Sequence, residues 1–264
     1  MRPLITLTTD FGPSSPYVAQ MKGVILGLCR EVDLIDITHA VSSQNVREGA
    51  IALADATPRF PAGTIHVAVV DPGVGTARRV VYAEIGGQRY LAPDNGLLSL
   101  LVQRATSPPQ WRVLENDRYW LPQRSSTFHG RDILSPVAAH LALGLDPAEL
   151  GPLLAAPVAL DWAAPRRSGA NVLGEVLFVD SFGNIITNLT RGDLVPLGSA
   201  TSINVQCGSR KIRGLVPTYG AAMAGELVAL IDSQDRLEIA LVQGHAASVL
   251  KVRAGDTVVA SYSP

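Results

Sequence analysis

The segment 64–70 constrains the fold most strongly, because it is rich in apolar and β-branched residues and runs directly into Asp71-Pro-Gly-Val-Gly-Thr-Ala-Arg78. This mostly apolar run of seven residues predicts a buried strand, and the two glycines after the aspartate let the chain turn sharply. Ligands of open α/β sheets bind outside the carboxyl ends of the strands, so Asp71 stands where a polar site is expected. The alternative is an ordinary turn in which Asp71 only caps the chain reversal.

Strand and helix patterns alternate along the first half of the chain. Predicted strands cover residues 4–9, 32–37 and 64–70, predicted helices cover 17–30, 46–57, 97–103 and 132–143, and Gly86-Gly87 joins a predicted hairpin of 80–85 and 88–91. This alternation predicts an α/β domain over residues 1–150, with a mostly parallel sheet and helices on both faces. Prolines at 147, 152, 157 and 165 indicate a linker over 151–170, and the short strand patterns of 171–264 predict a smaller all-β barrel domain.

The composition argues against several classes of protein. The net charge of −1 favours neither nucleic acid nor an anionic membrane as a partner. The two cysteines, Cys29 and Cys207, have no metal-ligand spacing and indicate no disulfide framework. Because no segment has the pattern of a signal peptide or a membrane span, we predict a cytoplasmic location.

Polar clusters follow the predicted strands. They are residues 8–12 around Asp10, the pair Asp71 and Arg78, residues 92–96 around Asp94, residues 127–132 around His129, and residues 180–188 in the second domain. Asp94 and Asp132 also stand where a helix-capping residue is expected, and a lone histidine is more often a packing residue than a catalyst. A metal site at Asp10, Asp71 and His129 lacks any known ligand spacing, so we predict no metal.

The ordered set of motifs resembles the S-adenosyl-L-methionine (SAM) hydroxide adenosyltransferases, a family related to the fluorinase and chlorinase enzymes. The resemblance runs from about residue 4 to residue 260 and rests on Thr8-Thr-Asp-Phe-Gly12, Tyr17-Val-Ala-Gln-Met-Lys-Gly23, Asp36-Ile-Thr-His39, Asp71-Pro-Gly-Val-Gly-Thr76, Ala92-Pro-Asp-Asn-Gly96, Thr127-Phe-His-Gly-Arg-Asp132 and Phe182-Gly-Asn184. The resemblance implies hydrolysis of SAM to adenosine and L-methionine. It also implies a homotrimer with active sites between neighbouring subunits.

The same resemblance implies roles for individual residues. The catalytic trio of the hydrolase branch falls on Asp71, Arg78 and His129. The residues expected to bind the substrate are Asp10 at the ribose hydroxyls, Tyr17, Gly130, Asp180, Phe182, Asn184, and Ser233 near the methionine carboxylate. In the halogenases a tyrosine replaces Asp71 and another aromatic residue replaces His129, while the fluorinase carries a halide-contacting serine in place of Gly130. Ser15, Gln44 and Gln234 depart from the residues found in relatives.

The chemistry of a sulfonium substrate suits these residues. Attack at the ribose C5′ carbon expels a neutral thioether, so the leaving group needs no acid and the reaction needs no cofactor. Asp71 would orient a water molecule and accept its proton, and Arg78 would hold the carboxylate in place. His129 would either bind the remaining lone pair of the water or relay the proton outward. The alternatives are a halide-dependent SAM enzyme, a non-catalytic SAM- or adenosine-binding protein, and a metal-dependent hydrolase.

Overall fold

The computed structural model describes residues 2–262 and divides into two compact units, Met1–Asp161 and Trp162–Pro264. Each unit has its own hydrophobic core. Among the described residues, no helix is both long and apolar enough to cross a membrane.

The first unit is built on a six-stranded sheet. Its strands are β1 (Leu4–Thr9), β2 (Asp33–Thr38), β3 (Ile65–Val69), β4 (Val80–Ile85), β5 (Gln88–Pro93) and β6 (Gln110–Val113), in the spatial order β2-β1-β3-β5-β4-β6. The pairs β1–β2, β1–β3 and β3–β5 are parallel, whereas β4 pairs antiparallel with both β5 and β6. The carboxyl ends of β1 and β3 therefore lie side by side, and Asp10 and Asp71 follow these two ends.

The helices of this unit are α1 (Tyr17–Leu28), α2 (Val46–Ala56), α3 (Ser99–Arg104) and α4 (Ser135–Ala142). One face of the sheet, which carries Ile5 and Leu7, packs in a single apolar cluster with Met21 of α1 and Val137 of α4. His66 points to the opposite face, where its ring contacts Phe60 just beyond α2. Because successive side chains of a strand point to opposite faces, the sheet packs against helical segments on both of its faces.

The second unit is an antiparallel β-barrel. Its strands are β7 (Arg166–Ser168), β8 (Asn171–Val179), β9 (Ile185–Thr190), β10 (Ile203–Cys207), β11 (Arg210–Arg213), β12 (Leu227–Ile231), β13 (Arg236–Leu241) and β14 (Thr257–Tyr262), with two short helices α5 (Arg191–Leu194) and α6 (Ala246–Leu250). The spatial order is β11-β10-β14-β8-β9-β13-β12, with β7 added to β8. A hydrogen bond from Val216 N to Ala229 O joins the segment after β11 to β12 and nearly closes the sheet. The predicted fold class, α/β followed by a smaller all-β barrel, is confirmed.

Residues 151–170, predicted as a linker, contain both extended and paired backbone. Val113 N donates to Pro152 O, and Leu154 N donates to Trp111 O, so the segment after residue 151 continues along strand β6. Farther on, β7 pairs with β8 of the barrel. The boundary between the two compact units falls between Asp161 and Trp162.

Candidate active site

A cavity of about 310 Å³ opens at the carboxyl ends of β1 and β3 in the first unit. It is lined by Asp10, Phe11, Tyr17, Ser43, Gln44, Val69, Asp71, Val74, Thr127, Phe128, His129 and Gly130. Five of the residues selected from the sequence are in this set: Asp10, Tyr17, Asp71, His129 and Gly130. Pockets for small molecules usually measure about 300–1,000 Å³, so this cavity is of a size to hold part of a small ligand.

Asp71, Arg78 and His129 form a continuous hydrogen-bonded network at the wall of the cavity. Arg78 Nε donates to Asp71 Oδ1 at 2.8 Å, and Arg78 Nη2 donates to Asp71 Oδ2. The same Nη2 lies 2.9 Å from His129 Nδ1. The side chains of Arg78 and Asp71 are only 9% and 6% exposed, so this bidentate ion pair is largely shielded from solvent.

The network assigns the protonation state of His129. An arginine N–H can only donate, so His129 Nδ1 is the acceptor and the ring hydrogen is on Nε2. Burial lowers the pKa of His129 below its ordinary value, and the positive charge of Arg78 lowers it further, against smaller opposing effects of Asp71 and Asp132. A neutral ring with an Nε2–H group is therefore the state that the site favours at neutral pH.

Hydrogen bonds within the loop after β3 bring Arg78 back to Asp71. Thr76 accepts from Arg78 N at 3.3 Å and donates its hydroxyl to Gly73 O at 2.7 Å. Gly75 has a φ of +79°, and a Cβ atom there would meet Ser126 O at 3.0 Å. Only glycine combines that conformation with such a close approach to the 125–129 segment.

Helical backbone with a π turn carries His129 into the site. The π-helical turn Gly130–Leu134 leads into α4, and His129 immediately precedes it. Pro136 has no N–H to donate to Asp132 O, and that carbonyl accepts instead from Leu121 N at 2.9 Å. Such single π turns occur often at functional sites. The proline in this helix therefore gives a local reason for the irregular turn that presents His129.

Gly130 allows the π turn to lie close to β3. A Cβ atom at this position would be 3.1 Å from Val69 Cγ2 and 3.4 Å from Met21 Sδ. A larger residue would have to displace Val69, which also lines the cavity. The structure thus assigns a packing role to Gly130 in addition to its place at the cavity wall.

Asp10 is fixed by the loop that follows β2. Its Oδ2 atom accepts from Gln44 N at 2.7 Å, and Gln44 has a φ of +63°. His39 joins the same two loops, since its Nδ1 lies 2.9 Å from Thr9 Oγ1 and its carbonyl accepts from Gly12 N. One oxygen of Asp10 is thereby occupied, and the other has no hydrogen bond within the described residues to compete with a ligand.

Three aromatic rings form one side of the cavity. Phe11, Tyr17 and Phe128 are mutually edge-to-face, with ring centroids 5.3–5.7 Å apart. Sequence reasoning selected only Tyr17 of these three. Phe11 and Phe128 stand beside Asp10 and His129 in the quoted motifs, and that adjacency was the signal that would have identified them.

Two capping expectations are wrong. Asp94 accepts from Arg79 Nε and from Val158 N, each at 2.8 Å, and neither donor belongs to a helix. Asp132 is completely buried and accepts from Ser125 N at 2.7 Å, which holds the loop before His129. Both carboxylates therefore connect loops rather than cap α3 or α4.

The residues selected in the second unit form a separate cluster. Asp180 Oδ1 accepts from Phe182 N and Asn184 N, and its Oδ2 accepts from Asn184 Nδ2 at 3.0 Å. Asp180, Phe182 and Asn184 line a cavity of about 570 Å³, together with Tyr219, which sequence reasoning missed. Ser233 lies in an exposed turn before β13 and is not among the residues that line this cavity.

Within residues 2–262 no group of three or more His, Cys, Asp or Glu side chains is arranged to hold a metal ion. The site in the first unit is instead a carboxylate, a guanidinium and a neutral imidazole that share hydrogen bonds beside an aromatic wall. This arrangement can hold and polarise a small polar molecule such as water.

The fold and the site define a two-unit α/β and β-barrel enzyme with a carboxylate–guanidinium–imidazole centre at the carboxyl edge of its parallel strands. The SAM hydroxide adenosyltransferase N-terminal domain matches residues 5–151, and the C-terminal domain of that family matches residues 174–259. The chain therefore belongs to the SAM hydroxide adenosyltransferase family.

Individual relatives agree with this assignment. An (R)-S-adenosyl-L-methionine hydrolase from Salinispora tropica is 40% identical over 257 residues, which cover 96% of each chain. A fluorinase from Actinoplanes sp. is 30% identical over 292 residues, covering 97% of this chain and 96% of the relative. A crystal structure of an uncharacterized conserved protein from Thermotoga maritima superimposes with a TM-score of 0.91 at 35% identity, covering 97% of this chain and 99% of that one.

Proposed function

We propose that this protein hydrolyses SAM to adenosine and L-methionine by attack of a water molecule on the ribose C5′ carbon. The single observation that carries the proposal is the shielded network of Asp71, Arg78 and His129 at the wall of a cavity. The Salinispora relative, named as an (R)-SAM hydrolase, supports the same reaction.

The reaction releases one proton for each SAM consumed. The oxygen of water forms a bond to C5′ as the bond from C5′ to sulfur breaks, and the electron pair of that bond neutralises the sulfonium. Asp71 receives the proton of the attacking water, because both of its oxygens keep lone pairs beyond those that Arg78 uses. Methionine leaves as a neutral thioether and needs no acid.

His129 positions the water in this proposal. Its Nδ1 is bonded to Arg78 and its Nε2 carries the hydrogen, so the ring donates to a lone pair of the water and has no free base to offer. Of the two roles considered for His129, the geometry therefore favours the holding of the lone pair over a proton relay. Correct alignment alone is worth on the order of 7–11 kcal/mol in well-oriented reactions.

The substrate contacts belong to the same proposal. Asp10 would bind the ribose hydroxyls through the oxygen that Gln44 leaves free, and the rings of Tyr17 and its two aromatic neighbours would cover the sugar. Gly130 would contact the reacting end of the substrate. The remaining contacts, to adenine and methionine, would come from Asp180, Phe182, Asn184 and Ser233 in the second unit. No metal or organic cofactor takes part, because the expulsion of a neutral thioether from the charged sulfonium supplies the driving force.

A homotrimer with active sites between subunits, and a cytoplasmic location, remain predictions from the sequence. Light scattering of the purified protein tests the predicted homotrimer. A monomer of full activity would contradict it, because the substrate contacts from the two units could then not come from neighbouring chains.

Incubation with SAM in oxygen-18 water tests the reaction. We expect adenosine that carries one heavy oxygen at C5′, in an amount that added chloride does not change. Formation of 5′-chloro-5′-deoxyadenosine would favour the halide-dependent alternative, and binding of SAM with no product would favour a non-catalytic protein. Separate assays with the two sulfonium epimers would show whether the (R) specificity in the relative's name applies to this chain.

The Asp71→Asn variant tests the assigned base. It retains the shape of the side chain, so SAM binding should stay within about threefold, while kcat falls by roughly 10²- to 10⁴-fold. Asp117→Asn is the control, because that carboxylate is exposed and lies outside the cavity. Wild-type turnover by Asp71→Asn would show that another group accepts the proton.

A further inference from the structure

Glu238 is an unexpected residue at its position in the barrel. It lies on β13 and is only 3% exposed, although carboxylates are rarely buried without a charged partner or a function. Its neighbours along the strand, Leu237 and Ile239, point into the barrel core. Glu238 therefore points to the opposite face of the sheet, which strand alternation assigns to it.

Glu238 has apolar neighbours on the adjacent strand and charged groups nearby. Leu230 is its direct partner on β12, and Leu230 packs with Val228, Ala240 and the loop residues Val216 and Ala222. Burial raises the pKa of the Glu238 carboxyl, and the charges of Asp180 and Asp232 act in the same direction, whereas Tyr219 and Arg236 oppose it. Burial of a carboxylate costs free energy, which its hydrogen bond and its charged neighbour Arg236 partly offset.

The hydrogen-bond partner of Glu238 is Tyr219, a residue that lines the second-unit cavity. Tyr219 donates its hydroxyl to Glu238 Oε1 at 2.7 Å, and burial raises the pKa of that hydroxyl, so it stays protonated as a donor. Tyr219 is 43% exposed and lines the cavity with Phe182, which is 76% exposed. Two accessible aromatic rings thus lie beside the polar groups of Asp180 and Asn184.

We propose that Glu238 is a positioning residue, which holds the ring of Tyr219 in place to pack against the substrate in this cavity. The inference rests on the proposed function, because that function supplies a substrate with a planar base. A ring that is already fixed loses little freedom when the ligand binds, and the ligand keeps more of its binding energy. Glu238 itself does not contact the substrate.

Replacement of Glu238 distinguishes this role from a structural one. Glu238→Leu fills similar volume, but it leaves the Tyr219 hydroxyl without its acceptor, so the free energy of unfolding should fall. In the protein that remains folded, the loss of this hydrogen bond should raise KM for SAM and Kd for adenosine roughly fivefold, with kcat unchanged. Glu238→Gln retains an acceptor oxygen for the Tyr219 hydroxyl and should restore KM to within about twofold.

A double-mutant cycle tests whether Glu238 acts through Tyr219. Tyr219→Phe keeps the ring and removes the donor, and it should raise KM as much as Glu238→Leu does. The Tyr219→Phe/Glu238→Leu double variant should then have the same KM as either single variant, because both remove one interaction. Additive effects, or a Glu238→Leu variant with wild-type KM and adenosine affinity, would overturn the inference.

Failure of the proposed function is distinguishable from failure of this inference. If the wild-type protein binds adenosine but does not hydrolyse SAM, the proposed reaction is wrong, and the calorimetric Kd for adenosine still tests Glu238. If the wild-type protein hydrolyses SAM and the Glu238 variants bind normally, only the positioning role is wrong.

Discussion

Arg78→Lys is the most informative single change in the candidate active site. The guanidinium makes three contacts at once, to both carboxylate oxygens of Asp71 and to His129 Nδ1. A lysine ammonium keeps the charge but is a single donor centre on a flexible chain, so it cannot reproduce the planar bidentate geometry. At least one of the three contacts is lost.

The size of the effect follows from these contacts. A hydrogen bond to a charged group contributes about 1.5–3 kcal/mol, so the free energy of unfolding should fall by about 2 kcal/mol. The larger effect is on catalysis, since a misplacement on the order of 1 Å can cost about 10²-fold in rate. We therefore expect kcat to fall by about 10²-fold. KM should change little, because Arg78 is not among the residues that line the first-unit cavity.

Single-turnover formation of adenosine, followed by chromatography, measures the chemical step. Arg79→Lys is the matched control, since its guanidinium bonds to Asp94 and to Ala156 O and makes no contact with the network. Arg78→Met adds a second readout. Loss of the positive charge should raise the pKa of His129 towards its ordinary value, measurable by NMR titration of the ring protons. An Arg78→Lys enzyme with kcat within threefold of wild type would refute the reasoning about bidentate positioning.

Two further predictions concern packing and acid stability. Gly130→Ser should overpack the contact with Val69 and destabilise the fold by about 1–3 kcal/mol. The Gly130→Ser/Val69→Ala double variant should recover part of that stability. Denaturant unfolding measures both variants, and an unchanged midpoint for Gly130→Ser would contradict the close approach. His66 is completely buried, and burial lowers its pKa from 6.5 to about 4. Protonation therefore favours the unfolded chain, so stability present above pH 6.5 is lost as the pH falls towards 4, by about 3 kcal/mol. His66→Gln should reduce the difference in unfolding free energy between pH 7 and pH 4, and an unchanged difference would contradict the assignment.

Local periodicity is sufficient for most of the fold but not for the three strands β6, β7 and β9. The strand patterns after residue 170 cover 172–180, 201–207, 211–216, 227–231, 237–241 and 257–262, and β7 lies in the segment predicted as a linker. β9 was missed because Thr187 occupies a core position, where a polar residue conceals the alternation. Its hydroxyl donates to Leu237 O at 2.8 Å, a partner 50 residues away that no local pattern reveals. β6 was missed because it is a short edge strand that begins directly after Pro108 and Pro109. Such strands depend on their neighbours rather than on their own sequence.

Part of the candidate site can be predicted from a short segment of sequence, and part depends on contacts between distant segments. Asp71 and Arg78 are seven residues apart in one glycine-containing loop, so their pairing follows from a short segment. His129 lies 51 residues beyond Arg78, and it reaches the pair only because a π turn packs Gly130 against Val69 of the strand that ends at Asp71. The motif Thr127–Asp132 supplies the glycine that this approach requires, but the approach also depends on the order of strands in the sheet, which no pattern within the motif specifies. The sequence can therefore indicate which side chains carry the chemistry, whereas the close packing that brings them together is a property of the folded sheet.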